Sequence, residues 1–362
     1  MTLQTIVVLD SGGCTCKAGT VQQAEPRVFP NCTARVKGER QLLVGDAVLG
    51  VKDVVSLAVR RPVDRGYVVA WDVQKDIWLR ALRQLLQVQP RECGLVLTEP
   101  YLNLPALREA ALQVVFDELG FQFLVMAPPA ALSLRAHAAA YPQLPANAAG
   151  CGLVVDSGFS FTHTVPVFDW RVLRQGIRRI DLGGKALTNF MKELVSYRSI
   201  NMMGEAYLME HIKDQLCFVS QDTRADLQAA RQRQSVHRRE YVLPDGVTST
   251  WGHVRPVEEM WQKPKRPEPG APPPPQETVL VVNNERFMVP EALFHPSDIG
   301  MEEAGLAEAI VAAVQAVHPH LHGLLYSNVL LTGGNCRCPG FRERLYTELR
   351  PLVPDDYKAD AG

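Results

Sequence analysis

The sequence predicts an α/β fold made of two similar lobes, and three observations carry that expectation. An apolar, β-branched run closes in Asp-Ser-Gly twice, at residues 6–12 and again at residues 153–158. Strand-like and helix-like periodicities then alternate through both halves. In the second half, Gly183-Gly184 and Gly333-Gly334 punctuate that alternation, and Gly-Gly after a strand and before a helix lets phosphate or nucleoside approach backbone. A recurring strand-turn unit of this kind suggests duplication.

The first bend is Asp10-Ser11-Gly12-Gly13, followed by Lys17, and the second is Asp156-Ser157-Gly158. Each reads as a strand, a tight turn and a returning strand. Such a turn offers backbone N–H groups to anionic oxygens, and its Asp can hold a metal-bound water. Asp-Ser-Gly alone is common in surface hairpins, but the pair points to a phosphate clamp between two lobes.

Taken in order, residues 27–61 mix short apolar pieces with charges and read as a small, strand-poor subregion, about 31–62. Asp72 is expected to cap a helix whose Val73, Ile77, Ala81, Leu82 and Leu85 share one face. Residues 93–98 read as a buried strand. Asn103 and Pro105 start a second helix, with Leu107, Ala110, Ala111 and Val114 inward and Gly120 beyond its end. A strand over 121–126 and an alanine-rich helix over 130–140 complete the first lobe, residues 1–140.

The second lobe, residues 141–362, repeats the order. After the Asp156 hairpin come helices over 186–197 and 205–219, a strand over 328–332 and a helix from Gly340. Residues 251–278 interrupt this pattern with Lys263-Pro-Lys-Arg-Pro-Glu-Pro-Gly-Ala-Pro-Pro-Pro-Pro-Gln, which can form neither ladder nor helix. Composition favours a tolerated surface insertion over a partner-binding arm.

The chain has 362 residues, 46% of them apolar, and a formal net charge of -1, enough for two filled cores and no excess for whole-surface nucleic-acid binding. No apolar run approaches the ~18 residues of a membrane span, and neither a leader peptide nor membrane attachment is expected. The eight cysteines read as reduced thiols. Cys14/Cys16 and Cys336/Cys338 lack zinc-ligand spacing, and His318-Pro-His-Leu-His has no acidic or thiol neighbour.

Several motifs together resemble the actin family from about residue 6 to about residue 354. They are Asp156-Ser-Gly-x-x-x-Thr-His-Thr-Val-Pro, Leu182-Gly-Gly-Lys-x-Leu-Thr, Lys213-Asp-Gln-Leu-Cys, Tyr241-Val-Leu-Pro-Asp-Gly, Asn284-Glu-Arg-Phe-x-Val-Pro-Glu-x-Leu-Phe and Leu331-Thr-Gly-Gly-Asn…Pro339-Gly. The implied architecture is the actin-like fold, two ribonuclease-H-like lobes around a nucleotide cleft. Phe159-Ser-Phe, Ser196-Tyr-Arg, Ser220-Gln-Asp, Pro296-Ser-Asp-Ile-Gly and the insertion before Asn284 resemble a nuclear class of actin-related proteins. That class implies a scaffold subunit of a SWR/SRCAP-type chromatin remodeller, which installs the Z-variant histone in nucleosomes. Its implied partners are other remodeller subunits and the nucleosome or histones, with Trp251 and Trp261 as contacts, and its implied place is the nucleus. Relatives of this kind continue beyond residue 354 through a final strand and helix, which are expected to be missing here, leaving first-lobe apolar surface uncovered.

The resemblance also assigns the cleft. Asp10, Gly12, Gly13 and Lys17 would form the first phosphate loop and Asp156, Ser157 and Gly158 the second. Lys213, Asp214, Gly333 and Gly334 would flank the nucleoside of ATP, while Asp10 and Asp156 orient waters on Mg²⁺. Cys14 stands where a phosphate-loop glycine is expected, with its side chain intruding on the backbone's approach. Phe159 replaces a cleft aspartate, and Arg337 and Cys338 replace residues that pack on adenine. Pro129 falls at the place of the glutamine that orients the attacking water, and His163 matches a histidine behind it. Proline has no side-chain dipole with which to position water, so a non-enzymatic protein holding nucleotide as a structural pin is expected. The alternative is an ATP-hydrolysing cytoskeletal protein or a phosphotransferase of the same superfamily. A short loop between Arg35 and Gln41 argues against filament formation.

Overall fold

The computed structural model describes residues 5–246, 249–261 and 277–358. Two five-stranded sheets organise it. The first has the order Phe123–Ala127, Cys93–Thr98, Thr5–Ser11, Thr15–Thr20, Arg27–Pro30. The second has Arg171–Val172, Thr162–Phe168, Gly152–Ser157, Val329–Thr332, with Arg178–Ile180 also paired to Thr162–Phe168. In each, an antiparallel hairpin receives a parallel strand on the outer side of its first arm. Asp10 faces Lys17 across the first hairpin, and Asp156 faces His163 across the second. The two bends are therefore equivalent in topology, as duplication requires.

The strand-poor expectation for residues 31–62 is overturned. Thr33–Val36, Leu43–Val44 and Leu57–Arg60 form a three-stranded antiparallel sheet over Cys32, Ala34 and Val48. Strands of two to four residues are too short to show a period in sequence.

The helices follow expectation with shifted ends. Trp71–Arg80 starts after Ala70, and Asp72 lies inside the first turn, where it complements the helix dipole and pairs with Arg60, rather than capping. The helix Pro105–Gln113 likewise begins after Leu104, while Asn103 bonds Glu99. Gly120 ends that segment at φ 78°, a conformation only glycine adopts freely. Helix Ala206–Leu216 stops before residue 219, because Phe218 and Val219 donate their N–H groups to Arg286 and Pro339 instead.

The insertion leaves and returns through a small sheet, where Arg239–Val242 pairs with both His253–Val254 and Val279–Val282. The proline-rich run at 263–276 lies outside the described residues, apart from its flanks.

The two sheets differ in cover. Leu153 and Val155 face one core of the second sheet, while Val154, Val165 and Val167 face another with Leu134 of helix Pro129–Ala140. The first sheet buries Val7, Leu9, Leu95 and Leu97 on one face only. Its other face carries Phe123 and Val125, 61% and 58% exposed, Val125 standing in line with Val96 and Val8 through direct cross-strand pairs. No helix of the described residues is long and apolar enough to cross a membrane.

Candidate functional site

The two bends meet. A Cβ built on Gly13 would lie 2.5 Å from Ser160 Oγ and 3.1 Å from Phe159 Cδ1, so the first turn packs directly on the second. Asp10 is held by Lys17 Nζ at 2.6 Å and by the Thr98 hydroxyl, which donates at 2.7 Å. The Asp156 carboxylate has no hydrogen-bond partner among the described residues. Its pKa is pushed up to about 6, first by burial and then by the Asp10 charge, with Lys17 partly opposing. Two carboxylates in mutual repulsion, one of them unsatisfied, are a hard-oxygen donor set suited to a hydrated Mg²⁺. Around them Gly13, Cys14, Phe159 and Ser160 donate no backbone hydrogen bond among the described residues, which leaves N–H groups available to anionic oxygens. The residues present fit a metal-bound phosphate tail.

Beside the bends lies a buried brace that sequence reasoning missed. Arg61 pairs with Glu210 Oε2 at 2.8 Å and donates to the Cys14 carbonyl at 3.0 Å. Its guanidinium sits 4.6 Å from the centre of the Phe159 ring. Cys14 does not point between the bends, as expected from its place in the loop; its thiol donates to Glu210 Oε1 at 2.7 Å. Burial first, then Glu210, raises the Cys14 pKa to about 12, so the group is a neutral thiol. The available signal was spacing: Glu210 lies three residues before Lys213, on the same face of one helix.

The wall behind the bends is aromatic. His163 is buried between Tyr101 and Phe161, with ring centres at 5.0 and 4.7 Å in edge contacts. Burial, followed by the Arg179 charge, lowers its pKa to about 4, so it is neutral at physiological pH. Pro129 opens the helix Pro129–Ala140, and the next residue, Ala130, donates its N–H to the Tyr101 hydroxyl at 2.6 Å. Gly66, on the hairpin Val63–Asp64/Tyr67–Val68, closes over Phe161, since a Cβ there would lie 1.9 Å from Phe161 Cζ.

Of the nucleoside candidates, Gly333 packs on the second bend. Gly333, at φ 93°, leaves no room for a side chain: its Cβ position is 2.2 Å from the Ser157 carbonyl oxygen. Gly334 faces open space. Asn335 donates to Ser157 Oγ at 3.1 Å and to the Gly158 carbonyl at 2.8 Å, which fixes this junction. Lys213 is buried and paired with Asp214, and Cys338 lies within electrostatic reach of both. Arg337 is exposed.

The two tryptophans separate. Trp251 is half-buried, its ring 5.5 Å from Tyr207 and 4.4 Å from His211, and its carbonyl accepts the Tyr241 hydroxyl. It belongs to the folded body rather than to an arm. Trp261 is 42% exposed and stacks with Arg238 at 5.5 Å. All eight cysteines are free, and among the described residues no group of His, Cys, Asp and Glu is arranged to hold a metal directly.

A family model described as actin matches residues 2–361. Actin-related protein 6 of Oryza sativa subsp. indica is 45% identical, the match covering 98% of this chain and 87% of the relative. Actin-related protein 6 of Arabidopsis thaliana is 41% identical over 98% of this chain and 88% of that protein. The Drosophila melanogaster protein of the same name is 37% identical over 97% and 87% respectively.

Proposed function

The chain belongs to the actin family, in the group of actin-related protein 6, and from that premise we propose that it is a non-catalytic scaffold subunit of a SWR/SRCAP-type chromatin remodeller. In this reading it acts in the nucleus, beside other remodeller subunits and the nucleosome, during deposition of the Z-variant histone. The observation that supports it is Pro129. Where an in-line water would need a positioned dipole, the chain supplies the start of a helix with no side-chain donor. His163 behind it is neutral but locked edge-on between two rings, so it lines the wall rather than steering a proton.

ATP with Mg²⁺, in this reading, is a structural pin. The free N–H groups of the bends would hold phosphate oxygens, and Asp10 and Asp156 would hold water on the metal, with Lys213, Asp214, Gly333 and Gly334 at the nucleoside. Mg²⁺, when bound, would supply a counter-charge to Asp10 and Asp156. A ligand that binds only the folded protein stabilises it by ~4 kcal/mol at about a thousand times its dissociation constant. The expected result is a rise in melting temperature with MgATP and no release of inorganic phosphate. Phosphate release at the rate of a filament-forming actin would overturn the scaffold reading, and affinity purification from nuclear extract, with its partners identified, tests the assembly. The turn at Gly38 between Val36 and Gln41 is short, so the protein is expected to stay in the supernatant under polymerising salt.

A further inference from the structure

One surface carries cations that no acidic side chain among the described residues neutralises. On helix Thr223–Ala230 and the turn after it, Arg224, Gln228 and Arg231 recur at i, i+4 and i+7, and all three are exposed, as is Arg233. None of these arginines has an ion-pair partner among the described residues. The nearby acids are already committed. Asp222 caps the helix through Ala225 N, Asp226 accepts from Ser220 and lies 3.1 Å from His237, and Glu285 takes Arg198. Glu240 is shared by Arg238 and Arg255.

A second row lies behind the first. Among the described residues Arg239 and Arg286 bond only backbone carbonyls, those of Val236 and Arg238 for one and of Leu216 and His237 for the other. Burial, then the nearby Arg239 charge, brings the Arg286 pKa down to about 10. The segment is tied to its neighbours through Asn283, which donates to the Ala230 carbonyl and accepts from Ser235. Next to Asn283, Asn284 accepts from Arg198, and Tyr197, the residue before Arg198, is 94% exposed.

We infer that Arg224, Arg231 and Arg233, backed by Arg239 and Arg286, form a docking face for the phosphate backbone of duplex DNA. Arginine forks match phosphate oxygens bidentately, and an exposed Tyr can bond phosphate or sugar. From Arg224 to Arg231 the helix rises about 10 Å, comparable with groove widths of about 6 and about 12 Å, so the stripe can meet phosphates on both rims. With no base-reading element, binding through it is independent of sequence and steeply salt-dependent. The choice of DNA over an acidic polypeptide rests on the chromatin reading above; the positive face itself does not.

The test uses the full chain and a fluorescent 30-base-pair duplex, titrated at several salt concentrations. In Arg231→Glu/Arg233→Glu the affinity is expected to fall at least about tenfold and the log–log salt slope to flatten by about two, one phosphate contact contributing about 0.9. Both side chains are exposed and neither has a hydrogen-bond or ion-pair partner among the described residues, so an unchanged melting curve certifies the variant, and Tyr197→Ala should weaken binding without altering the slope. Unaltered affinity and slope in the double variant would overturn the assignment. So would absence of binding by the natural chain at low salt, or polyglutamate displacing the duplex at equal charge concentration, which would make the face a site for acidic protein. Failure to recover remodeller subunits from nuclear extract would remove the scaffold reading while leaving the duplex measurement standing.

Discussion

Arg61 and Glu210 form an ion pair 2.8 Å long that joins the start of the chain to the helix Ala206–Leu216, with side chains only 16% and 14% exposed. The same two groups hold the Cys14 thiol and backbone, and Arg61 lies over Phe159 of the opposite bend. The two halves of the cleft are thus bound to each other by the chain's own charges.

Removing one partner strands the other charge. Glu210→Gln is expected to cost about 3 kcal/mol, as for other largely buried pairs, while replacing both groups with apolar residues of similar volume should cost less than the sum of the single changes. Urea denaturation of the double-mutant cycle measures the coupling, and strict additivity would show that the brace carries none.

Acid stability separates two buried groups of opposite sign. His163 has its folded pKa lowered from 6.5 to about 4, so its contribution is present above pH 6.5 and lost as pH falls toward 4, on the order of 3 kcal/mol. Asp156 has its pKa raised from 3.8 to about 6, so it opposes folding at neutral pH and ceases to do so as pH falls through 6 toward 3.8. In the natural chain the two offset each other between pH 4 and 6. His163→Leu should therefore leave the Asp156 gain unopposed, so that stability rises as pH falls from 6 toward 4, whereas Asp156→Asn should expose the His163 loss over the same range and stabilise the metal-free protein at pH 7 by about 3 kcal/mol and little at pH 4. Denaturation midpoints across this range read both.

Mg²⁺ provides a separate check on the donor set. Asp156→Asn removes the unsatisfied carboxylate, so the melting-temperature gain expected from MgATP should shrink while any gain from metal-free ATP changes little. An undiminished MgATP shift in the variant would remove Asp156 from the metal site.

Gly66 faces two constraints at once, a φ of 75° and the Phe161 ring 1.9 Å from its Cβ position. Gly66→Ala should cost about 2 kcal/mol or more, and pairing it with Phe161→Ala should leave only the backbone part, about 1 kcal/mol above Phe161→Ala alone. Thermal denaturation of the three variants separates steric clash from strain.

The face of the first sheet that exposes Phe123 and Val125 is expected to bind hydrophobic dye and to promote association. Phe123→Thr/Val125→Thr should lower dye fluorescence and raise solubility while changing stability by no more than about 0.5 kcal/mol per site, since both side chains are exposed. Dye binding equal to that of the natural chain would place the sticky surface elsewhere.

What the sequence determined by itself was local. Two β-branched runs ending in Asp-Ser-Gly, the helix faces, Gly120 and Gly340 at helix boundaries, and Pro129 where a water-orienting side chain was expected are all encoded within a few residues of one another. Their physics is a matter of allowed dihedrals and apolar period, and both can be counted along a chain. Only the tertiary structure decided that Cys14 turns to Glu210, that Arg61 stacks on Phe159, that Trp251 is held by Tyr207 and His211, and that residues 33–60 make a sheet. Those outcomes depend on partners far away in sequence, because a buried charge or ring takes its environment from whichever elements the fold packs beside it.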